Sequence, residues 1–238
     1  MVRCAFLRFA YAGLLCCVQA AALHADDGRT FPDQNEPAPA AVGEDVDAKK
    51  LEVDPQLLKK RFGGKAKWDA DKGVLALEYD FSRGQEKDWE IDENCISRPT
   101  ALRGIRVAAA TKLVHKAIFV EGSCAFQYAI RQRDDKGILL TAGNVEVRQH
   151  YFNDRCFFLN NREANIGYEN DALKLFNVHL MCQPTRCSLK VSRSEVAFAR
   201  GGAEPFRFAL HGGENGGEFG SLSIYGKPDS DWFSEFLK

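Results

Sequence analysis

Apolar and polar residues alternate with a period of two along most of the chain after residue 73, and no stretch of comparable length keeps a period near 3.6. That pattern predicts strands with one buried face rather than helices. In "GVLALEYDF", Leu75, Leu77, Tyr79 and Phe81 fall on one side, and Ala76, Glu78 and Asp80 on the other. "RGIRVAAATKLVHKAIFVEG" reads as two strands, with Ile105, Val107 and Ala109 facing one way in the first. "SCAFQYAIRQRDDKGILLTAG" reads as a strand, a turn at Asp134-Asp135-Lys136-Gly137 and a short strand. "NVEVRQHYF", "RCFFLNN", "EANIGYEN", "LKLFNVHLMC", "CSLKVS", "EVAFAR", "PFRFAL" and "GSLSIYG" continue the series.

About a dozen short strands joined by Gly, Asn and Asp turns predict an all-β fold, a two-sheet antiparallel β-sandwich of jelly-roll type. The closing residues "PDSDWFSEFLK" predict a short C-terminal helix capped by Asp229 or Ser230. In it Trp232 and Phe236, four residues apart, meet on one side and cover an open end of the sandwich.

The front of the chain has a different composition. Residues 1–25 contain Arg3 and Arg8, no acidic residue and an apolar run from Ala10 to Leu23, the layout of a secretory signal peptide cut after Ala25. The run is too short for a membrane span. Lipid attachment at Cys16 is the alternative, although Leu15 stands where such a signal usually has a small residue. Residues 26–61 are rich in Asp, Glu, Pro and Ala and poor in aromatics, which predicts a flexible acidic tether with one short helix at "PQLLKKR". Residues 62–238 then form the single folded domain, in a protein that is secreted or otherwise extracytoplasmic. Without the signal, 30 basic residues face 33 acidic ones, a net charge of −3. That balance offers no electrostatic footprint for nucleic acid.

Removing Cys4, Cys16 and Cys17 with the signal leaves Cys95, Cys124, Cys156, Cys182 and Cys187. Export permits disulfides, and an odd count requires a free thiol. Cys182 and Cys187 flank "QPTR" between two alternating runs, so a hairpin places them opposite one another as the expected disulfide. The competing reading gives the same two thiols and His179 to zinc.

Two stretches carry a family resemblance. "KDWEIDENC" contains Glu90-Ile91-Asp92, which resembles the opening of the acidic strand signature of laminarinase-type β-glucanases. Strand periodicity, however, puts Asn94 where the third acid belongs and turns Glu93 to the opposite face. Glycoside cleavage needs two placed carboxyl groups, so this stretch reads as a polar turn beside Trp89. The C-terminal third, ending in Ile224-Tyr225-Gly226-Lys227-Pro228-Asp229-Ser230-Asp231-Trp232, resembles the end of concanavalin A-like jelly rolls, closest to laminin G-like and 3-keto-disaccharide hydrolase-type domains. The resemblance spans most of residues 66–238 and concerns structural motifs. It implies that ionisable groups on the concave face are the first place to look for chemistry.

On "NVEVRQHYF", Glu146, Arg148 and His150 share one face over about 13 Å of strand. They are the catalytic candidates if the protein is an enzyme, with Glu146 and His150 as acid–base partners and Arg148 as a clamp. On that reading Glu146→Gln or His150→Ala abolishes turnover. The alternative is a solvated strand face with an ordinary ion pair. Gln127 and Arg131 form a second polar stripe, and would build a cleft with the first if the two strands were neighbours. Tyr151, His179, Tyr128 and Trp89 are candidate surfaces for stacking sugar rings. His115 and His211 read as structural histidines. A Ca2+ site is open to Asp134-Asp135, Asn153-Asp154, Asn170-Asp171 or Asp229, none with diagnostic spacing.

These readings favour a secreted domain that binds carbohydrate or another extracellular polymer without catalysis. A glycoside-processing hydrolase of the 3-keto-disaccharide hydrolase type and a structural or adhesion domain of the cell envelope are the alternatives. One sandwich hosts all three functions, so the site has to separate them.

Overall fold

A computed structural model describes residues 51–81, 85–91, 95–97, 102, 104–130, 136–152, 154–165, 174–202 and 204–238, without the side chains of 97, 130, 151, 152, 154–156, 165 and 174. The expected signal peptide, most of the tether, Arg131 and the side chain of Tyr151 lie outside the described residues, as do Asp134, Asp135, Asn153, Asn170 and Asp171.

In chain order the elements are helix α1 (Pro55–Arg61), β1 (Lys65–Asp69), β2 (Val74–Tyr79), a 3-10 turn (Gln85–Asp88), β3 (Trp89–Ile91), β4 (Ile96–Ser97), β5 (Ile105–Val107) and β6 (Lys112–His115). There follow β7 (Phe119–Ile130), β8 (Lys136–Ala142), β9 (Val145–Phe152), β10 (Asp154–Leu159), β11 (Arg162–Asn165) and β12 (Lys174–Cys182). The chain closes with β13 (Arg186–Val191), β14 (Ser194–Ala199), β15 (Phe208–His211), β16 (Gly217–Pro228) and helix α2 (Ser230–Phe236).

The strands form the expected two-sheet antiparallel sandwich. Sheet A runs β1-β2-β16-β7-β12-β13-β14, with β5 on β16 and β4 on β5; sheet B runs β11-β10-β9-β8-β15-β6-β3. Alternation decides which side chains enter the core between them. Leu75, Leu77 and Tyr79 of β2, Cys124, Phe126 and Tyr128 of β7, and Val178 and Leu180 of β12 are buried from sheet A. Val145 and Val147 of β9, Phe157 and Leu159 of β10, and Phe208 and Leu210 of β15 meet them from sheet B.

Three hairpins use two-residue turns. Gly143, Asn160 and Ser192 each open one at φ of 61°, 52° and 53°, the left-handed start that matches strand twist. Asp229 caps α2 by accepting from the Trp232 backbone N–H at 2.9 Å. Trp232 and Phe236 meet with ring centroids 5.0 Å apart, and Phe236 lies 4.7 Å from Phe62. The short helix expected at "PQLLKKR" is α1, capped by Asp54, and it buries Leu58 against the domain. Residues 55–62 therefore pack with the sandwich although their composition resembles the tether.

Candidate functional site

The sheet order separates the two polar stripes that a single cleft required. β7, with Gln127, belongs to sheet A, and β9, with Glu146, Arg148 and His150, to sheet B. Gln127 and the β9 groups face outward from different sheets, so the cleft between them does not form. Alternation fixes the face of each strand but says nothing about its neighbours, which is where that expectation failed.

On β9, Glu146, Arg148 and His150 do share the outward face, while Val145, Val147 and Gln149 point inward. Arg148 is tied to Glu146 by Nε–H donating to Oε2 at 2.8 Å and by an ion pair at 2.5 Å, with about half of the Arg148 side chain exposed. Across sheet B, the Thr141 hydroxyl and His211 Nε2 are 3.1 Å apart. Burial and the nearby Lys112 hold the His211 pKa below its ordinary value, opposed by Glu146. This is an exposed face with an ordinary ion pair.

Trp89 is not a sugar platform. It is 3% exposed and packs edge-on to His115, with centroids 4.8 Å apart. Tyr128 is likewise buried, 5.3 Å from Phe219. Glu90 of the glucanase-like stretch lies on the edge strand β3 and pairs with Arg207 at 2.6 Å. That guanidinium holds the Glu90 carboxyl below the usual carboxylate range. Its partner acid, Asp92, lies outside the described residues.

Among the described residues an open groove of about 520 Å³ runs across the outer face of sheet A. Strand register builds it. Lys65 pairs with Glu78, Glu78 with Ser223, Ser223 with Ala125, Ala125 with His179, His179 with Lys190 and Lys190 with Glu195. One row of outward side chains thus crosses seven strands, a span of about 29 Å at ~4.8 Å per strand. Beside it, Asp80, Ser221, Gln127 and Asn177 line the same groove, with Asn177 directly opposite Gln127. On the other flank Tyr225 is paired with Ala76 and Ser123, so its ring projects above small neighbours and stays 46% exposed.

The chemistry of this face follows from its composition. Charged members of the row stand opposite partners of opposite sign, Lys65 by Glu78 and Lys190 by Glu195, while the centre is hydroxyl, methyl and imidazole. Burial and the Lys190 charge lower the His179 pKa, opposed by Glu195, which favours the neutral ring. Neutral imidazole and the amides of Gln127 and Asn177 each both donate and accept hydrogen bonds. Asp80 is partly engaged, accepting from Gln85 Nε2 at 2.7 Å.

Of the expected ligand residues, Gln127 and His179 therefore meet here. Glu78, Asp80, Asn177, Ser221 and Ser223 join them in the groove, and Tyr225 lies outside its lining, two residues along β16 from Ser223. Their outward facing was legible from alternation, but their convergence depends on β2, β16, β7 and β12 lying side by side.

A second cluster looks like machinery but is sealed. Tyr79, Asp88 and His115 are 2%, 4% and 0% exposed. The Ala117 backbone N–H donates to His115 Nδ1 at 3.0 Å, so the ring proton sits on Nε2. That proton points at the Tyr79 hydroxyl, 2.8 Å away, and Tyr79 in turn donates to Asp88 Oδ2 at 2.8 Å. Asp88 also accepts from the backbone N–H groups of Gly63 and Gly64 at 2.7–2.9 Å. The network ties the segment after α1 to both sheets.

Among the described residues no group of three or more His, Cys, Asp or Glu side chains is arranged to hold a metal. Asp229, one Ca2+ candidate, is the α2 cap. Cys182 and Cys187 are directly opposite one another across the β12–β13 hairpin, and both are buried thiols.

Fold and groove together define an antiparallel jelly-roll sandwich with a polar, small-floored channel across one outer sheet face. No protein-family model and no curated protein matches the chain. Solved structures similar to it include the Crh5 transglycosylase in complex with NAG, at 10% identity over 63% of this chain and 83% of that one, TM-score 0.47. Others are the carbohydrate-binding module CBM66 from Bacillus subtilis, at 10% identity over 59% and 93%, TM-score 0.38, and the Ca2+/Man3GlcNAc-bound exoplasmic/lumenal domain of VIP36, at 7% identity over 61% and 86%, TM-score 0.41. No residue role is carried over from these likenesses. No helix among the described residues is long and apolar enough to cross a membrane.

Proposed function

We propose that the chain is an exported domain that binds a neutral, hydroxyl-rich polymer, a carbohydrate, in the groove across sheet A without transforming it. The observation that carries this reading is the continuous polar row over small floor residues, Ser223, Ala125 and His179 at its centre, flanked by the Gln127 and Asn177 amides. Groups that both donate and accept suit hydroxyls, which do the same. The small floor leaves room for a ring, and Tyr225 supplies one exposed flat surface for stacking. A polyanion would meet the Glu78 and Asp80 carboxylates, so the charge of the face favours a neutral ligand. Export rests on the signal-like residues 1–25, and closeness to laminin G-like or 3-keto-disaccharide hydrolase-type domains rests on the closing phrase from Ile224 to Trp232.

The test is a glycan array spanning neutral, acidic and amino sugars, with calcium present and absent. Binding to neutral glycans in both conditions is the expected result. Absence of any glycan binding, or binding confined to polyanions, overturns it.

One observation favours a hydrolase as the second reading: Glu78 of β2 and Asp80, just past the end of that strand, line the same groove. Two carboxyl groups flanking a bound sugar are what glycoside cleavage uses. Prolonged incubation with any oligosaccharide that binds separates the two. An unchanged oligosaccharide supports the binding domain, and cleavage lost in Glu78→Gln supports the enzyme.

A further inference from the structure

The far end of β12 holds three buried thiols, Cys124, Cys182 and Cys187, whose burial places them in the core rather than in the groove. We infer that Cys182 and Cys187, and not Cys124, form a single disulfide that staples the β12–β13 hairpin as the protein folds.

Register selects the pair. The Gln183 backbone N–H donates to the Arg186 carbonyl at 2.8 Å, which makes 183 and 186 a hydrogen-bonded pair. The next pair along, Cys182 and Cys187, is then a non-hydrogen-bonded one. Such pairs bring Cα atoms to about 4.5 Å and side chains closest together, at the near end of the range a disulfide spans. Cys124 is opposite Leu180, and Cys182 is opposite Gly122, so Cys124 and Cys182 are diagonal neighbours. Diagonal partners lie roughly 7–8 Å apart, outside that range without movement of the backbone.

The surroundings favour the chemistry. Arg200 follows β14, and its backbone N–H donates to the Thr185 carbonyl in the hairpin turn at 2.8 Å. Its guanidinium donates through Nη2 to the Glu204 carbonyl, lies over the Phe206 ring, and leaves Nη1 buried with no hydrogen-bond partner. The hydrogen bond between the two thiols, seconded by the Arg200 charge, holds the Cys187 pKa below its ordinary value, while that bond and burial push Cys182 up.

The reaction is thiol–disulfide exchange with a disulfide oxidant, such as a protein oxidase or oxidised glutathione. The thiolate of one cysteine attacks the oxidant's disulfide and releases one thiol. The other cysteine, deprotonated, attacks the mixed disulfide and releases the second. The two cysteines lose two protons and two electrons, and the oxidant gains them. Both sulfurs are 0% exposed in the finished sandwich, so exchange takes place on the local β12–β14 unit before sheet B closes over it. Afterwards the core protects the bond from reductant. Residues 177 and 179 of the groove lie on the stapled strand, so the bond also holds their register.

The experiment uses the full chain, refolded with oxidised glutathione, denatured, alkylated with one reagent, reduced and labelled with a second. Peptide mass spectrometry is expected to find the second label on Cys182 and Cys187, and the first on Cys124. The reduced protein is expected to melt about 4–8 °C lower, from the small loop closed. First label on both Cys182 and Cys187, or a bridge from either to Cys124, overturns the inference. Cys124→Ser is expected to leave the pairing intact, whereas Cys187→Ser exposes Cys182 to the first reagent.

Discussion

At the scale of single residues, His115 ties stability to pH. Complete burial, with added repulsion from Arg207 and Lys116, lowers its pKa to about 3. In the folded protein the ring is neutral at any pH above that, while in the unfolded chain it takes up a proton below about 6.5. Between those values the unfolded state binds more protons, so stability rises with pH and is lost as pH falls from 6.5 toward 3. The slope from this group approaches about 1.4 kcal/mol per pH unit inside the window. We expect urea midpoints to fall steadily between pH 6.5 and 4, and His115→Gln to flatten the decline. An equally steep decline in that variant would assign it to other groups. Tyr79→Phe strands the His115 Nε2–H and removes one bond to Asp88, and should cost about 1–3 kcal/mol by denaturant titration. The sequence read His115 correctly as structural because it alternates with apolar neighbours. Trp89 was misread because β3 has three residues, too few for a period of two to declare itself, and its charged flanks resemble a turn.

At the scale of elements, each strand's two faces were readable and its neighbours were not. Leu75, Leu77, Tyr79 and Phe81 all turned inward as the alternation in "GVLALEYDF" required. Ordering β2, β16, β7 and β12 depends on closures across up to 150 residues, which no local pattern encodes. Close packing of one of those pairings rests on Gly226, opposite Gly122. A Cβ at 226 would sit 2.3 Å from the Glu121 carbonyl and 2.6 Å from the Gly122 Cα, both backbone atoms with little room to move. Gly226→Ala should therefore destabilise by about 1–3 kcal/mol, read as a lower urea midpoint. A neutral result would mean that β16 and β7 can separate there at no cost.

At the scale of the whole molecule, the two outer faces divide the candidate chemistry. Sheet B presents Glu146, Arg148 and His150 as an exposed face with its charges paired locally. Sheet A presents a groove of about 520 Å³ whose polar row crosses the sheet. The sequence supplied Gln127 and His179 of that groove and the sandwich that carries it. It could not supply the company they keep, because side chains from four strands converge only after both sheets close. Function therefore depends on which face meets the ligand. The direct measurement is the affinity of the best neutral glycan for the wild type, Gln127→Ala/Asn177→Ala and Arg148→Ala/His150→Ala, each confirmed folded by its melting profile. Loss of the two groove amides should weaken binding at least about tenfold, on the order of 1.4 kcal/mol, and the sheet B pair should leave it unchanged. Binding that survives in the groove variant and disappears in the sheet B variant would contradict the account.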